Sequence, residues 1–392
     1  MRARRNFLEI RGANGSATDG IECEGSGPAF EVRDPIITWL SDLNVSCPGE
    51  YAVRASRNAV LGMYPFADKV TITNNSTGVF GQYGATIIMF AVETSGNTAS
   101  AASVLDGSVL YLSDVLIQEN IDQDVTNTGA VEIGRTSVGR ITGNNTVITN
   151  SFIDAGGGNP RVGWAVSVFF NSELRLQDVD GAGGVPTITG AVMCSKTSNM
   201  SLRGIAVNGM IDYFDCSGDF RDSELNGVGS FDAMININGG HVDIRGNTPD
   251  IAQLGIGDYA GVTMNGSNTI TGTVPQVYIE NASASIEADF TFSQFHANGP
   301  GKLAIYGALS DDADASDDFH VNGMTFDLGG TINGNVYLNK HSLVNLFSGS
   351  VVNGRLGLFD KTIATIQGSV EDCIEVVNGS LLRLDDGVNL GR

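Results

Sequence analysis

The residues best able to do chemistry lie between Ile211 and Asp232: Asp212, Tyr213, Asp215, Asp219, Arg221, Asp222, Glu224 and Asp232. Glycoside hydrolysis uses carboxyl groups in pairs, ~5 Å apart when configuration is retained and ~6.5–9.5 Å apart when it is inverted. Strands that stack at ~4.8 Å would set equivalent carboxylates about that far apart, and nearly ~10 Å apart if one layer intervenes. Asp212 and Asp232 are 20 residues apart and could stack in this way, with Asp215 close by in the chain. Arg221 could then bind a sugar carboxylate through a charge-assisted pair. Together these four residues would form the groove of a polysaccharide lyase or glycoside hydrolase acting on an acidic polymer. The competing reading is a solvated acidic face with Arg221 as a local ion-pair partner.

A second cluster, Asp311, Asp312, Asp314, Asp317 and Asp318, is the densest run of acids in the chain. Oxygen donors at alternate positions of a loop can hold Ca²⁺, and Ca²⁺ is the only cofactor this sequence suggests. The Gly turn and terminal Glu of an EF-hand are missing, as is the nonapeptide of calcium-binding β-rolls, so a solvated loop competes with the metal site. His320 reads as a surface or turn residue. The five cysteines include two pairs at similar intervals, Cys23 with Cys47 and Cys194 with Cys216, leaving Cys373. Each pair could be a disulfide between stacked strands or two buried thiols.

The elements that must position these groups show in the last sixty residues. Gly330 to Leu338 reappears 20 positions later as Ser350 to Leu358, with Ile332 matching Val352, Gly334 matching Gly354 and Leu338 matching Leu358. Leu343 and Leu346 match Ile363 and Ile366, and a looser copy runs through Val370, Ile374, Val376, Leu382 and Leu384. A period near 20, made of short alternating apolar runs and Gly, Asn, Ser or Asp turns, indicates a solenoid of stacked β-coils. The same rhythm runs back to Phe7-Leu8-Glu9-Ile10. The longer apolar run Ala85 to Val92 reads as a strand covered on both faces, and loops are expected to leave the stack near Gly156 and Asp311.

Composition fits one architecture over the whole chain. Of 392 residues 51 are Gly and only 9 Pro, and no linker divides them, so residues 1–392 are expected to form a single domain. The net charge of −22 opposes binding to nucleic acid or to anionic membranes. Nothing is long or apolar enough to be a spanning helix. Met1 to Arg5 is followed directly by strand-like sequence, so the chain is expected to begin in mid-solenoid without its N-terminal cap. Trp39 and Trp164 are too few for an aromatic sugar-binding ladder.

The periodicity and Gly/Asn turns from Phe7 to Leu390 resemble the right-handed parallel β-helix of the pectin-lyase-like superfamily. Among its members they are most similar to exported bacterial β-helix proteins and autotransporter passenger regions. The resemblance implies an all-β fold, a single right-handed parallel β-helix of roughly 17 coils at ~20–23 residues each. The superfamily's enzyme motifs are missing: Gly240-His241-Val242 lacks a second Gly, and no Arg-Ile-Lys occurs. The function expected is therefore a non-enzymatic scaffold or adhesin, exported or surface-displayed, that binds polysaccharide or a cell-surface glycan as a monomer or homotrimer. The alternative is the lyase or hydrolase above, free or as a phage tailspike-like subunit.

Overall fold

The computed structural model describes residues 7–11, 20–22, 27–47, 51–66, 69–119, 121, 129–151, 153–154, 161–177, 185–227, 233–249, 251–266, 268, 270, 273–312, 319–385 and 388–390. Among them there is no helix, and almost every strand pairing is parallel. The fold is an all-β parallel solenoid. Backbone contacts divide the chain into two units, Met1–Ile211 and Asp212–Arg392.

In the first unit one face is a ladder of eight parallel strands. It runs from Phe7–Arg11 through Ile37–Ser41, Val60–Met63, Thr86–Phe90, Val109–Ser113, Val138–Thr142 and Glu173–Gln177 to Asn199–Arg203. Two further strand columns complete each coil, such as Val70–Thr73 beside Val92–Ser95 and Thr77–Gln82 beside Ser100–Val104. The second unit repeats the plan with nine strands on the corresponding face, from Ser217–Arg221 to Leu381–Leu384. Eight coils and nine agree with the number expected from sequence.

The repeat that exposes the fold in the sequence is realised residue by residue. Ile332 pairs with Val352, Leu338 with Leu358 and Leu346 with Ile366. Ile332, Leu338, Val352 and Leu358 are all fully buried. A Cβ on Gly354 would lie 2.4 Å from the Gly334 carbonyl oxygen, so the two turns stack backbone on backbone and only glycine fits. Coils in the first unit are longer: Val109 pairs with Val138 and Val138 with Glu173, coils of 29 and 35 residues. The extra length leaves as side excursions, one of them framed by the antiparallel pair Ile153–Asp154 and Arg161–Val162. Gly156 itself lies outside the described residues. The run Ala85 to Val92 is corrected: it is two strands, Thr86–Phe90 and Val92–Ser95, broken at Ala91 in left-handed conformation (φ 48°). Ile87 and Met89 point inward, whereas Phe90 is exposed.

Apolar side chains fill the interior, and polar ladders run along its corners. The Asn75 amide donates to Asn97 Oδ1 (2.9 Å) and the Asn97 amide to Glu119 Oε1 (2.7 Å), while the Cys47 N–H donates to Asn75 Oδ1. Buried polar groups are tolerated only when paired, and this ladder pairs them from coil to coil. Burial pushes the Glu119 carboxyl up from its ordinary range, although bonds from Asn97, Thr94 and Gly96 pull it down. In the second unit Asn247 and Asn268 repeat the device. Phe292, Phe295, Phe319 and Phe326 stack inside, with Phe295 and Phe319 rings 4.2 Å apart. Cys47, Cys194 and Cys216 are disulfide-bonded and Cys373 is an exposed free thiol; Cys23 lies outside the described residues.

Candidate functional site

The acidic stretch from Ile211 to Asp232 is spread over two faces of the coil. Asp212 lies on Ala206–Phe214, a strand that pairs with Ala233–Asn238. Its Oδ1 is sealed from solvent without a hydrogen-bond partner among the described residues, and burial raises its carboxyl from 3.8 to about 6. Asp215 is an exposed turn residue in left-handed conformation, φ 54°. Arg221 lies on Ser217–Arg221, which pairs instead with His241–Arg245. Its guanidinium is 2.7 Å from Asp219 and 3.2 Å from Asp243, and Asp243 also pairs with Arg245. Asp212 and Arg221 therefore occupy different strand ladders, and the arginine charge is taken up by its own neighbours. Asp232 lies outside the described residues.

Of the acids expected to hold Ca²⁺, Asp311 ends the strand Ala308–Asp311, and Asp312 accepts a bond from the Ser293 hydroxyl (2.6 Å). Asp314, Asp317 and Asp318 lie outside the described residues. Among the described residues no three His, Cys, Asp or Glu side chains are grouped to hold a metal ion. His320 is on a strand, Phe319–Asn322, in register with His296 above and Tyr337 below. The four rings of Tyr278, His296, His320 and Tyr337 stack at 5.8, 5.4 and 5.3 Å on the outer face of the second unit. The sequence signal for this column was present in the near-coil intervals between these four residues.

A cleft that sequence reading missed lies on the first unit's eight-stranded face. It has a volume of about 330 Å³ and is lined by Glu9, Trp39, Leu40, Ser41, Tyr64 and Phe66. Alternation explains its floor: Leu40, Met63 and Met89 point into the core, so Glu9, Trp39, Gly62 and Ile88 form the outward column. Gly62 makes room for the indole, because a Cβ there would lie 2.2 Å from the Trp39 ring. Tyr64 stacks on Phe90 at 5.1 Å, leaving Tyr64 and Phe66 48% and 70% exposed. With Trp39 they line one cleft, and contiguous apolar patches of this kind mark binding sites.

The wall is fixed by one buried carboxylate. Asp42 accepts from the Phe66 N–H (2.8 Å) and from Arg11 Nε (3.0 Å), and Arg11 lies 4.1 Å over the Phe66 ring. Arg11 is thereby committed to the wall. One solvent-facing polar group at the cleft, the Glu9 carboxylate, is uncommitted among the described residues. Ser41 is 6% exposed, and its hydroxyl is sealed from solvent without a hydrogen-bond partner among the described residues, a buried defect that costs about 1–3 kcal/mol. Among the described residues the Glu9 carboxylate makes no ion pair or side-chain hydrogen bond, whereas Glu31, Asp42 and Glu93 each pair with a cation. Two exposed rings, a half-buried indole and a carboxylate with no partner among the described residues suit a ligand with apolar faces and polar edges. The two tryptophans do not stack as a ladder in this cleft, which holds only Trp39. Trp39 supplies one ring, and Tyr64 and Phe66 the others. Comparison with protein-family models, with curated proteins and with solved structures finds no match.

Proposed function

We propose that this chain is a non-enzymatic β-helix scaffold, exported or surface-displayed, that binds a glycan in the Trp39–Tyr64–Phe66 cleft. The observation that carries the reading is the cleft itself. Pyranose rings offer C–H faces to aromatic rings and hydroxyl edges to a carboxylate such as Glu9, and a cleft of about 330 Å³ is at the small end of ligand sites. Disulfides at Cys47, Cys194 and Cys216 support maturation in an oxidising compartment. The parallel coils support kinship with the right-handed, pectin-lyase-like β-helices and their passenger regions, as a monomer or a homotrimer. Ca²⁺ near Asp311 and Asp312 is retained as a proposal for the second unit. The test is titration of the protein with neutral, acidic and aminated oligosaccharides, read by tryptophan fluorescence in the parent and in Trp39→Ala. Saturable quenching in the parent, lost in the variant, supports the reading.

One observation favours the second reading, a lyase or hydrolase of acidic polysaccharide. A carboxyl raised to about 6, as Asp212 is, has the proton affinity a general acid or base needs near neutrality. Incubation with pectate and alginate, followed by assay for unsaturated or reducing ends in the parent and in Asp212→Asn, decides between the two.

A further inference from the structure

We infer that the glycan taken by the first unit's cleft carries a protonated amine: an amino-sugar oligomer with free ammonium groups, in preference to an acidic or N-acetylated one. This rests on the glycan reading above and narrows it to a ligand class. Glu9 stands directly beside Trp39 in the strand register and lines the cleft with it. Its carboxylate is solvent-exposed and has no cationic partner among the described residues. The cation closest in the chain, Arg11, is held between Asp42 and the Phe66 ring and adds no unpaired positive charge to the cleft. An ammonium entering here meets the Glu9 carboxylate on one side and the rings of Trp39 and Tyr64 on the other, and aromatic faces attract cations. An acidic sugar meets Glu9 as a like charge, with a chain of net charge −22 behind it.

That net charge sets the design of the test, since any polycation adheres to so acidic a protein. Short oligomers are therefore used, and the deciding variants either leave the charge untouched or change it by one. The full chain and its Glu9→Gln, Trp39→Ala and Trp39→Phe variants are titrated by calorimetry with glucosamine, N-acetylglucosamine and galacturonate tetramers. The expected result is about tenfold tighter binding of the glucosamine tetramer than of its N-acetylated counterpart by the parent. Glu9→Gln should remove most of that preference while retaining binding. Trp39→Ala should abolish binding of both tetramers, and Trp39→Phe should restore part of it, showing that the loss is of a ring and not of the fold. Equal affinity for the two tetramers in the parent, or a preference unchanged in Glu9→Gln, overturns the inference and leaves the glycan reading standing. Glucosamine binding that survives in Trp39→Ala also overturns it, because the charge of the whole chain then accounts for it. Failure of all three sugars to bind overturns the glycan reading together with it.

Discussion

Replacing Asp212 by Asn should change how stability depends on pH. In the folded chain the Asp212 carboxyl is raised from 3.8 to about 6 because burial disfavours its charged form. Between those values the folded state binds a proton that the unfolded state has released, so stability falls as pH rises through the window. The contribution is complete below the unfolded value and lost above about 6. A difference of about 2 pH units corresponds to about 3 kcal/mol, and partial access to solvent reduces this to about 2–3 kcal/mol. Asn keeps the shape without the charge. Asp212→Asn should therefore be more stable than the parent near neutrality and lose that advantage at acid pH. An amide left without a partner offsets about 1 kcal/mol of the gain. The assay is denaturant midpoints of both proteins from about pH 4 to pH 8, taken as a difference so that other buried acids such as Glu119 cancel. A difference that does not vary with pH would show that Asp212 is solvated in the folded protein and would remove the basis for its raised value.

Leu338→Asp places an unpaired charge between coils where Leu338 is fully buried over Leu358, and should cost several kcal/mol, seen as a large drop in unfolding midpoint. Asn97→Ala cuts the polar ladder between Asn75 and Glu119 and should destabilise by about 2–3 kcal/mol, measured in the same way. Alkylation without reduction, followed by mass spectrometry, should label Cys373 and neither Cys194 nor Cys216.

Much of the architecture was legible because a solenoid writes its geometry as period and alternation. Ile332 over Val352 and Leu338 over Leu358 follow from a 20-residue repeat with apolar residues at every second place. The corners were less legible. Sequence reading relies on Gly and Asn for positive φ, but here Arg57 with Asn58, Arg135 with Thr136 and Lys196 with Thr197 also turn in left-handed conformation. Hydrogen bonds from coil to coil hold these turns: Asn58 N–H donates to the Tyr83 carbonyl, and Thr136 N–H to that of Phe170. Residue type alone cannot announce a turn that its neighbours stabilise. The cleft was hidden for a related reason. Its residues come from three successive coils of unequal length, so Glu9, Trp39 and Tyr64 share no fixed interval, and only the ladder register brings them together. Asp212 and Arg221 show the converse, being close in sequence but on different ladders because the chain turns a corner at Asp215.

The central claim is that the cleft over Gly62 binds a glycan, and Gly62→Ala tests it most directly. The added methyl would lie 2.2 Å from the Trp39 ring, so the indole must leave its place with no change in the charge of the chain. Calorimetric titration of parent and Gly62→Ala with the oligosaccharide panel is the measurement. The account predicts saturable binding by the parent and at least a tenfold loss in the variant, at an unfolding midpoint that shows both proteins folded. Equal binding by two folded proteins, or no binding by the parent to any sugar in the panel, would contradict it.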